Sequence, residues 1–242
     1  MNVLYCLHKG FWRAVDLLYP PICAVCGKPN YRLCPACLSQ IHTIDFSFCA
    51  LCGKRVKGSR TLCADCASTP IHFTAVAAWG EYEGVLRKAI HALKYKSDLG
   101  LGEQFAEFLI PLLIERRWDF NCVLPVPLSR QKQKERAYNQ SALLSRPIAR
   151  YFNAVHAINW LVRTRDTGSQ TQKSKFERNL SIEGAFWANP AKLKGRSVLL
   201  VDDIITTGAT VNHCSDALLK AGAEKVYAIS IAKTFRQGLK SS

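Results

Sequence analysis

The chain has 242 residues, of which 48% are hydrophobic, so it is long and apolar enough to fold into one or two globular domains. This composition excludes an intrinsically disordered protein. The formal net charge of +15, from 33 Lys and Arg against 18 Asp and Glu, predicts anionic partners such as phosphates or nucleic acid.

The first twenty residues predict an amphipathic helix, because apolar residues recur there at steps of three and four. They do not resemble a secretory signal, since Lys9, Arg13 and Asp16 interrupt the apolar core that a signal needs. No segment has the ~18 unbroken apolar residues of a membrane-spanning helix. We expect the helix to pack against its own domain, with a membrane surface as the alternative partner, and we expect a cytoplasmic protein.

Eight of the eleven cysteines form four Cys-x-x-Cys pairs, which predict two structural zinc sites. Each pair supplies two thiolates, and four thiolates complete a tetrahedral site. A disulfide framework would need export, and a redox site would need one pair in a βαβ unit. Sequential pairing of the pairs is the simplest arrangement, and interleaving stays open. The predicted zinc ligands are Cys23, Cys26, Cys34, Cys37, Cys49, Cys52, Cys63 and Cys66.

We expect residues 1–70 to form the N-terminal helix and a double zinc ribbon, and residues 71–242 to form a second domain. The cysteine-rich part has little apolar content of its own, and structural zinc contributes about 10 to 16 kcal/mol per site in finger peptides. The three remaining cysteines are predicted to be small buried apolar residues. They are Cys6, Cys122 and Cys214.

From about residue 71 onwards, strand and helix patterns alternate, which predicts a parallel sheet covered on both faces. Ligands of such sheets bind beyond the carboxyl ends of the strands. The predicted strands are 73–82, 122–127, 159–164, 197–203 and 225–233. The predicted helices are 85–95, 101–117, 139–152 and 209–222, the last with Gly222 as a C-terminal cap.

Basic residues are concentrated in the middle of this second domain. Between residues 129 and 178, eleven Lys and Arg stand against three acids. The surplus predicts a surface that binds anions, and a solvated face that only keeps the protein soluble is the alternative.

The stretch VLLVDDIITTGAT, residues 198–210, lies at the carboxyl end of a predicted strand. Asp202 and Asp203 end the strand, a turn follows, and a helix begins near Ala209 or Thr210. Helix N-termini present N–H groups without helical partners, Gly208 allows close approach, and the threonines add hydroxyl donors, so the turn is suited to a phosphate monoester.

The two carboxylates would repel that phosphate unless they face hydroxyl groups or a divalent cation, and a phosphorylated sugar supplies both. The glycine pattern of a dinucleotide fold and the Walker A loop are absent. A response-regulator receiver needs more chain than the 39 residues after Asp203. Two acids that merely cap a strand would leave the Thr-Thr-Gly-x-Thr turn unexplained.

Residues 198–210 resemble the 5-phosphoribosyl 1-pyrophosphate signature of type I phosphoribosyltransferases. Together with residues 125–144, the four cysteine pairs and the basic stretch 163–178, they resemble the ComF/GntX family, which is associated with bacterial competence and DNA utilisation. The resemblance covers nearly the whole chain. It implies an α/β fold, with a small N-terminal double zinc ribbon followed by a type I phosphoribosyltransferase-like parallel sheet flanked by helices.

The resemblance also implies site residues. Asp202 and Asp203 would bind the ribose hydroxyls, and residues 163–178 would form a mobile loop over the substrate. Residues 125–129 would face the pyrophosphate, with Arg130 and Arg136 as nearby cations. The implied catalytic residues are Asp202, Asp203 and Arg130. The implied ligand-binding residues are Thr206, Thr207, Gly208, Ala209, Thr210, Ser129 and Arg136.

Two functions follow as hypotheses. The first is a Mg²⁺-dependent phosphoribosyltransferase that uses 5-phosphoribosyl 1-pyrophosphate and an acceptor that the sequence does not name, acting with competence or DNA-uptake proteins. The second is a non-catalytic module that handles single-stranded DNA and uses the pocket as a sugar-phosphate sensor. Stacking of bases would need exposed aromatic residues, for which Tyr31, Phe46 and Phe48 are the candidates.

Overall fold

The fold is taken from a computed structural model, which describes residues 3–45, 47–49, 51, 55–56, 62–96, 98–136, 138–164 and 184–235. The helices are α1 (Val3–Leu18), α2 (Pro35–Leu38), α3 (Gly84–Tyr95), α4 (Gly100–Arg116), α5 (Arg130–Arg136), α6 (Gln140–Tyr151), α7 (Pro190–Leu193) and α8 (Ala209–Lys220). The strands are β1 (Ala75–Glu81), β2 (Cys122–Pro125), β3 (Val155–His156), β4 (Leu161–Arg163), β5 (Phe186–Ala188), β6 (Ser197–Ile205) and β7 (Lys225–Lys233).

Five strands form one parallel sheet in the order β1-β7-β6-β2-β3. This confirms the α/β fold with a parallel sheet. The strand predicted at 159–164 does not join it: β4 pairs antiparallel with β5 in a separate two-stranded sheet. Its partner was missed because β5 is only three residues long and lies more than twenty residues further along the chain.

Helices cover both faces of the sheet, as a parallel sheet requires. Alternate residues of β6 enter different cores, because successive side chains of a strand point to opposite faces. Leu199 and Val201 join the core beneath α3, α4 and α6, whereas Val198 and Leu200 join the core beneath α8. All four side chains are fully buried, which fixes the register of the strand that carries the candidate site.

The predicted N-terminal helix is confirmed as α1, and it contacts α4 and α6 as well as Arg32 within residues 1–70. The Tyr5 and Tyr151 rings meet edge to face at 5.2 Å. His8 Nε2 lies 2.7 Å from Glu103 Oε1 of α4. Three cysteines of the first two pairs belong to the same hydrophobic core as α3 and α4, namely Cys23, Cys34 and Cys37. The N-terminal part and the sheet region therefore share one core.

The three cysteines outside the pairs differ in burial. Cys122 and Cys214 are fully buried, as predicted. The prediction for Cys6 is wrong, because it lies on the outward side of α1 and is exposed. Within the part of the chain that the structure describes, no helix combines the length and the hydropathy needed to cross a membrane.

Candidate functional site

The cysteine pairs converge in sequential order. The sulfurs of the first two pairs all lie within 4.8 Å of one another, and so do those of Cys49, Cys63 and Cys66. Cys52 lies outside the described residues. Burial opposes ionisation of the Cys23 thiol, but hydrogen bonds from the amides of Cys26, Cys34 and Val25 lower its pKa to about 6. Four converging sulfurs are the donor set of a structural zinc site, so the first group fits the ion.

The second candidate region is the carboxyl end of β6. Asp202 and Asp203 lie in its final part, but the strand continues to Ile205 and does not end at the acids. It does so because Asp202, Ile204 and Ile205 remain in register with Ser230, Ala232 and Lys233 of β7. The acids are therefore fixed by a central strand of the sheet.

The turn after β6 leads directly into α8, which begins at Ala209 as predicted. Gly208 is the N-cap residue and has a φ of 70°, a left-handed conformation that favours glycine. Because glycine has no side chain to cap the helix, the first N–H groups of α8 receive no cap from this position. The Thr206 side chain is exposed, and Thr207 and Thr210 are half-buried.

Asp202 is linked to α6. Its Oδ1 accepts hydrogen bonds from Ser141 Oγ at 3.0 Å and from the amide of Asp203 at 2.9 Å. Burial, together with the neighbouring charge of Asp203, raises the pKa of this carboxyl to about 8. A carboxyl of this kind is protonated near neutral pH and ionises when a cation or a hydrogen-bond donor approaches.

Asp203 is linked to α3. Its Oδ2 lies 2.6 Å from Lys94 Nζ, and both side chains are largely buried. This ion pair was not predicted from the sequence. The only local signal was the position of Lys94 in the last turn of α3, where a basic residue interacts favourably with the helix dipole.

Basic residues from several elements surround this edge of the sheet. The Lys132 residue is exposed, but partial desolvation of its ammonium lowers its pKa, and the positive charges of Arg136, Lys94 and Arg163 lower it further. Arg136 donates to Gln140 Oε1 at 3.2 Å and to the Tyr95 hydroxyl at 3.0 Å, and so joins α5 to α6 and α3. These cations repel one another, and an anion bound between them would relieve that repulsion.

Ser129 and Arg130 lie on the loop and helix that follow β2. Ser129 Oγ accepts from the amide of Lys132 at 3.2 Å and so caps α5. Arg130 lines a cavity of about 330 Å³ that also contains Asn139 and two further arginines, Arg146 and Arg163. The described lining of this cavity includes neither the paired acids nor the turn before α8. Arg146 was not among the site residues predicted from the sequence, although it lies on the same face of α6 as Ala142, which also lines the cavity.

Two known families match the chain. The family described as "Double zinc ribbon domain" matches residues 14–68, and the family described as "Phosphoribosyl transferase domain" matches residues 139–240. The first match contains all eight paired cysteines. The second contains β6, the turn and α8, so both candidate regions lie within matched segments.

Curated relatives resemble most of the chain. The DNA utilization protein YhgH of Escherichia coli (strain K12) is 27% identical over 90% of this chain and 99% of its own length. Competence protein F of Haemophilus influenzae is 28% identical, over 83% and 90%. Competence protein ComFC of Bacillus subtilis is 28% identical, over 87% and 84%. These relatives and the two matched families confirm the predicted resemblance to the ComF/GntX family.

A solved adenine phosphoribosyltransferase from Thermoanaerobacter pseudethanolicus is 16% identical to this chain, over 57% of it and 83% of the enzyme, with a TM-score of 0.37. The two family matches and the five-stranded parallel sheet show a double zinc ribbon followed by a phosphoribosyltransferase domain.

The structure brings some of the predicted residues together and separates others. Asp202, Asp203 and the turn 206–210 are contiguous, whereas Arg136 contacts Gln140 and Tyr95. Arg130 faces the neighbouring cavity. The stretch 165–183, which includes most of the predicted mobile loop, lies outside the described residues.

Proposed function

We propose that the protein binds 5-phosphoribosyl 1-pyrophosphate with Mg²⁺ at the carboxyl end of β6 and transfers its phosphoribosyl group to an acceptor. The observation that carries the proposal is the sequence of features along one segment: two acids, a turn with a left-handed glycine, and a helix N-terminus without a side-chain cap. The 5-phosphate would bind the amides and hydroxyls of residues 206–210, and Asp202 and Asp203 would bind the ribose hydroxyls.

The surrounding cations suit the leaving group. Departure of pyrophosphate places negative charge on its oxygens and positive charge on the ribose, so nearby lysines and arginines stabilise the first and carboxylates the second. Lys94 contacts Asp203 and belongs to the same group of cations as Lys132 and Arg136. When a ribose hydroxyl binds Asp203, Lys94 becomes available to the pyrophosphate.

Mg²⁺ fits the donor chemistry of this edge. Carboxylate and phosphate oxygens are the ligands that it prefers, and Asp202 and Asp203 provide carboxylates beside the place of the phosphates. The ion would neutralise charge on the leaving group. The contribution of the chain itself is to orient the ribose between Asp203 and the turn and to keep Asp202 in position through Ser141.

The names of the relatives, DNA utilization protein and competence protein, support a role in the uptake or use of DNA. We place the division between the two parts near residue 70, since the zinc ribbon family matches residues 14–68. We also propose that the protein acts in the cytoplasm.

The alternative, a module that handles single-stranded DNA, has one favourable observation. Tyr31 is exposed on the zinc ribbon, and the Lys28 ammonium lies 5.6 Å from its ring, which is the pairing of aromatic and basic side chains that base stacking uses. Phe48 is unsuitable, because it is buried, and Phe46 lies outside the described residues. The alternative therefore has fewer supporting residues than the phosphoribosyl site.

The deciding experiment is calorimetric titration of the zinc-loaded protein with 5-phosphoribosyl 1-pyrophosphate and Mg²⁺. The double variant Asp202→Ala, Asp203→Ala is expected to bind at least tenfold more weakly with unchanged zinc content. Asp119→Ala, an exposed acid before β2, is the matched control. Binding that survives in the double variant would contradict the proposal. Acceptor-dependent release of pyrophosphate then tests turnover, and the salt dependence of DNA affinity tests the alternative.

A further inference from the structure

Lys233, the last residue of β7, has a completely buried side chain. Lysine is seldom buried, because removal of the ammonium from water is unfavourable unless hydrogen bonds replace the hydration. Its Nζ donates a hydrogen bond to the main-chain carbonyl of Thr206, the first residue of the turn before α8. Lys233 is not a predicted zinc ligand, and it has no part in the proposed binding of the ribose or the pyrophosphate.

The strand pairing brings Lys233 to the turn. Lys233 is in register with Ile205, the last residue of β6, and the amide of Thr234 donates to the Ile205 carbonyl at 3.1 Å. The end of β7 thus contacts two successive carbonyls, those of Ile205 and Thr206. The start of the turn is fixed by the main chain at one carbonyl and by the lysine side chain at the next.

Fixing the Thr206 carbonyl also fixes the next amide. In a trans peptide the C=O and the N–H of the same plane point in opposite directions. Because the Thr206 carbonyl points to Lys233, the N–H of Thr207 points away from it. Without the ammonium, this peptide plane could rotate, and its amide would lose a defined direction before any ligand arrived.

Phe48 of the zinc ribbon covers the ammonium. The Lys233 Nζ lies 5.9 Å from the centroid of the Phe48 ring, a cation–π distance, and Phe48 is itself buried against Phe235. Phe48 directly precedes Cys49, a member of the second thiol group. The aromatic cover excludes water and so strengthens the hydrogen bond to Thr206.

We propose that Lys233 is the positioning residue of a phosphomonoester subsite in the turn 206–210. It orients the peptide between Thr206 and Thr207 and places a positive charge behind the turn. This inference rests on the proposed function, since it assigns the 5-phosphate end of the ligand. It adds a residue from the neighbouring strand, and through Phe48, which precedes Cys49, it links the second thiol group to the support of the subsite.

The test uses the full-length zinc-loaded chain and two probes, ribose 5-phosphate and unphosphorylated ribose. Lys233→Met keeps most of the side-chain volume and removes the ammonium, and it is expected to weaken ribose 5-phosphate binding at least tenfold. Lys233→Arg keeps the charge and is expected to restore part of the affinity. The matched control is Lys220→Met, because Lys220 is an exposed lysine at the far end of α8 that pairs with Asp216. Ribose binding is expected to stay the same in all variants.

Hydrogen exchange of the amides of residues 206–208, measured without ligand, is a second readout that a general loss of stability does not reproduce. Exchange is expected to become at least tenfold faster in Lys233→Met, relative to amides of β6. Wild-type affinity and exchange in this variant would overturn the inference.

If the wild-type protein binds neither probe, the proposed function fails, and the exchange result still decides whether Lys233 orients the turn. If Lys233→Met does not fold, Phe48→Leu admits water to the ammonium and is expected to show a smaller change in the same direction, whereas no change would overturn the inference.

Discussion

Asp202 and Asp203 are neighbours in sequence but have different electrostatic surroundings. Asp203 forms an ion pair with Lys94 at 2.6 Å. Asp202 is buried beside Asp203, and this raises its pKa to about 8, partly offset by hydrogen bonds from the Asp203 amide and Ser141. Asp202 is thus the carboxyl of the two whose surroundings favour the protonated form.

The raised pKa predicts how stability depends on pH. Between about pH 4 and pH 8 the folded protein binds a proton at Asp202 that the unfolded chain has released, so the free energy of unfolding falls as pH rises, by up to about 1.4 kcal/mol per pH unit. Asp202→Asn resembles the protonated acid and should remove this contribution. Urea unfolding of both proteins at pH 6 and pH 8 measures it. The same pH dependence in both would show that Asp202 is ionised throughout.

The site residues that sequence could predict are the contiguous ones. Asp202, Asp203 and the turn share one short segment, and the residue types in that segment were sufficient to predict a site for a phosphorylated sugar. Lys94, Ser141 and Lys233 could not be predicted, because they reach the site only through the packing of α3, α6 and β7. A side chain from a distant element leaves no pattern in the local sequence.

At the scale of elements, a capping residue predicted where helix α8 ends. Gly222 has a φ of 94° and ends α8 with the predicted cap: its amide donates to the Leu219 carbonyl, and the amide of Ala223 donates to that of Leu218. Helix α5 was missed, because its seven residues are all polar and none is buried, so it has no apolar stripe. Elements formed at the surface by capping alone escape a search for hydrophobic periodicity.

Asn139 is the N-cap of α6 and also joins that helix to the loop after β2. Its Oδ1 accepts from the Ser141 amide at 3.0 Å, and its Nδ2 donates to the Val126 carbonyl at 3.0 Å. Loss of an N-cap reduces stability by about 1 kcal/mol. Because Ser141 contacts Asp202, the change should also displace the acid.

Asn139→Ala is therefore expected to lower the free energy of unfolding by about 1 kcal/mol and to weaken binding of 5-phosphoribosyl 1-pyrophosphate severalfold. Asn189→Ala is the control, since Asn189 caps the short helix α7 in the same way, through the Ala191 amide, away from the site. Asn189→Ala should lower the free energy of unfolding and leave the ligand affinity unchanged. Calorimetry measures the ligand affinity of both variants, and urea unfolding measures their stability. Equal ligand affinity in the two variants would show that Asn139 does not support the site.

At the scale of the whole molecule, the first thiol group and the sheet region share a core. Cys23, Cys34 and Cys37 lie in the same buried cluster as Leu93 and Phe105 of α3 and α4. Arg32 extends the contact, because it forms ion pairs with Asp16 of α1 and with Asp98, the latter at 3.0 Å. The zinc ribbon and the parallel sheet were predicted as successive parts of the chain, and no sequence pattern indicated that their cores merge.

A merged core predicts that loss of the first zinc ion destabilises the whole chain and not only the ribbon. Structural zinc contributes about 10 to 16 kcal/mol in finger peptides. If only about 5 kcal/mol of that reaches the shared core, the Tm of a chain of this size falls by about 10 to 20 °C. Cys23→Ser should therefore lower the main calorimetric transition by that amount, together with its zinc content. Cys6→Ser, at an exposed cysteine outside both thiol groups, should change neither. A main transition that stays at the wild-type temperature in Cys23→Ser would show that the sheet region is stable without the ribbon.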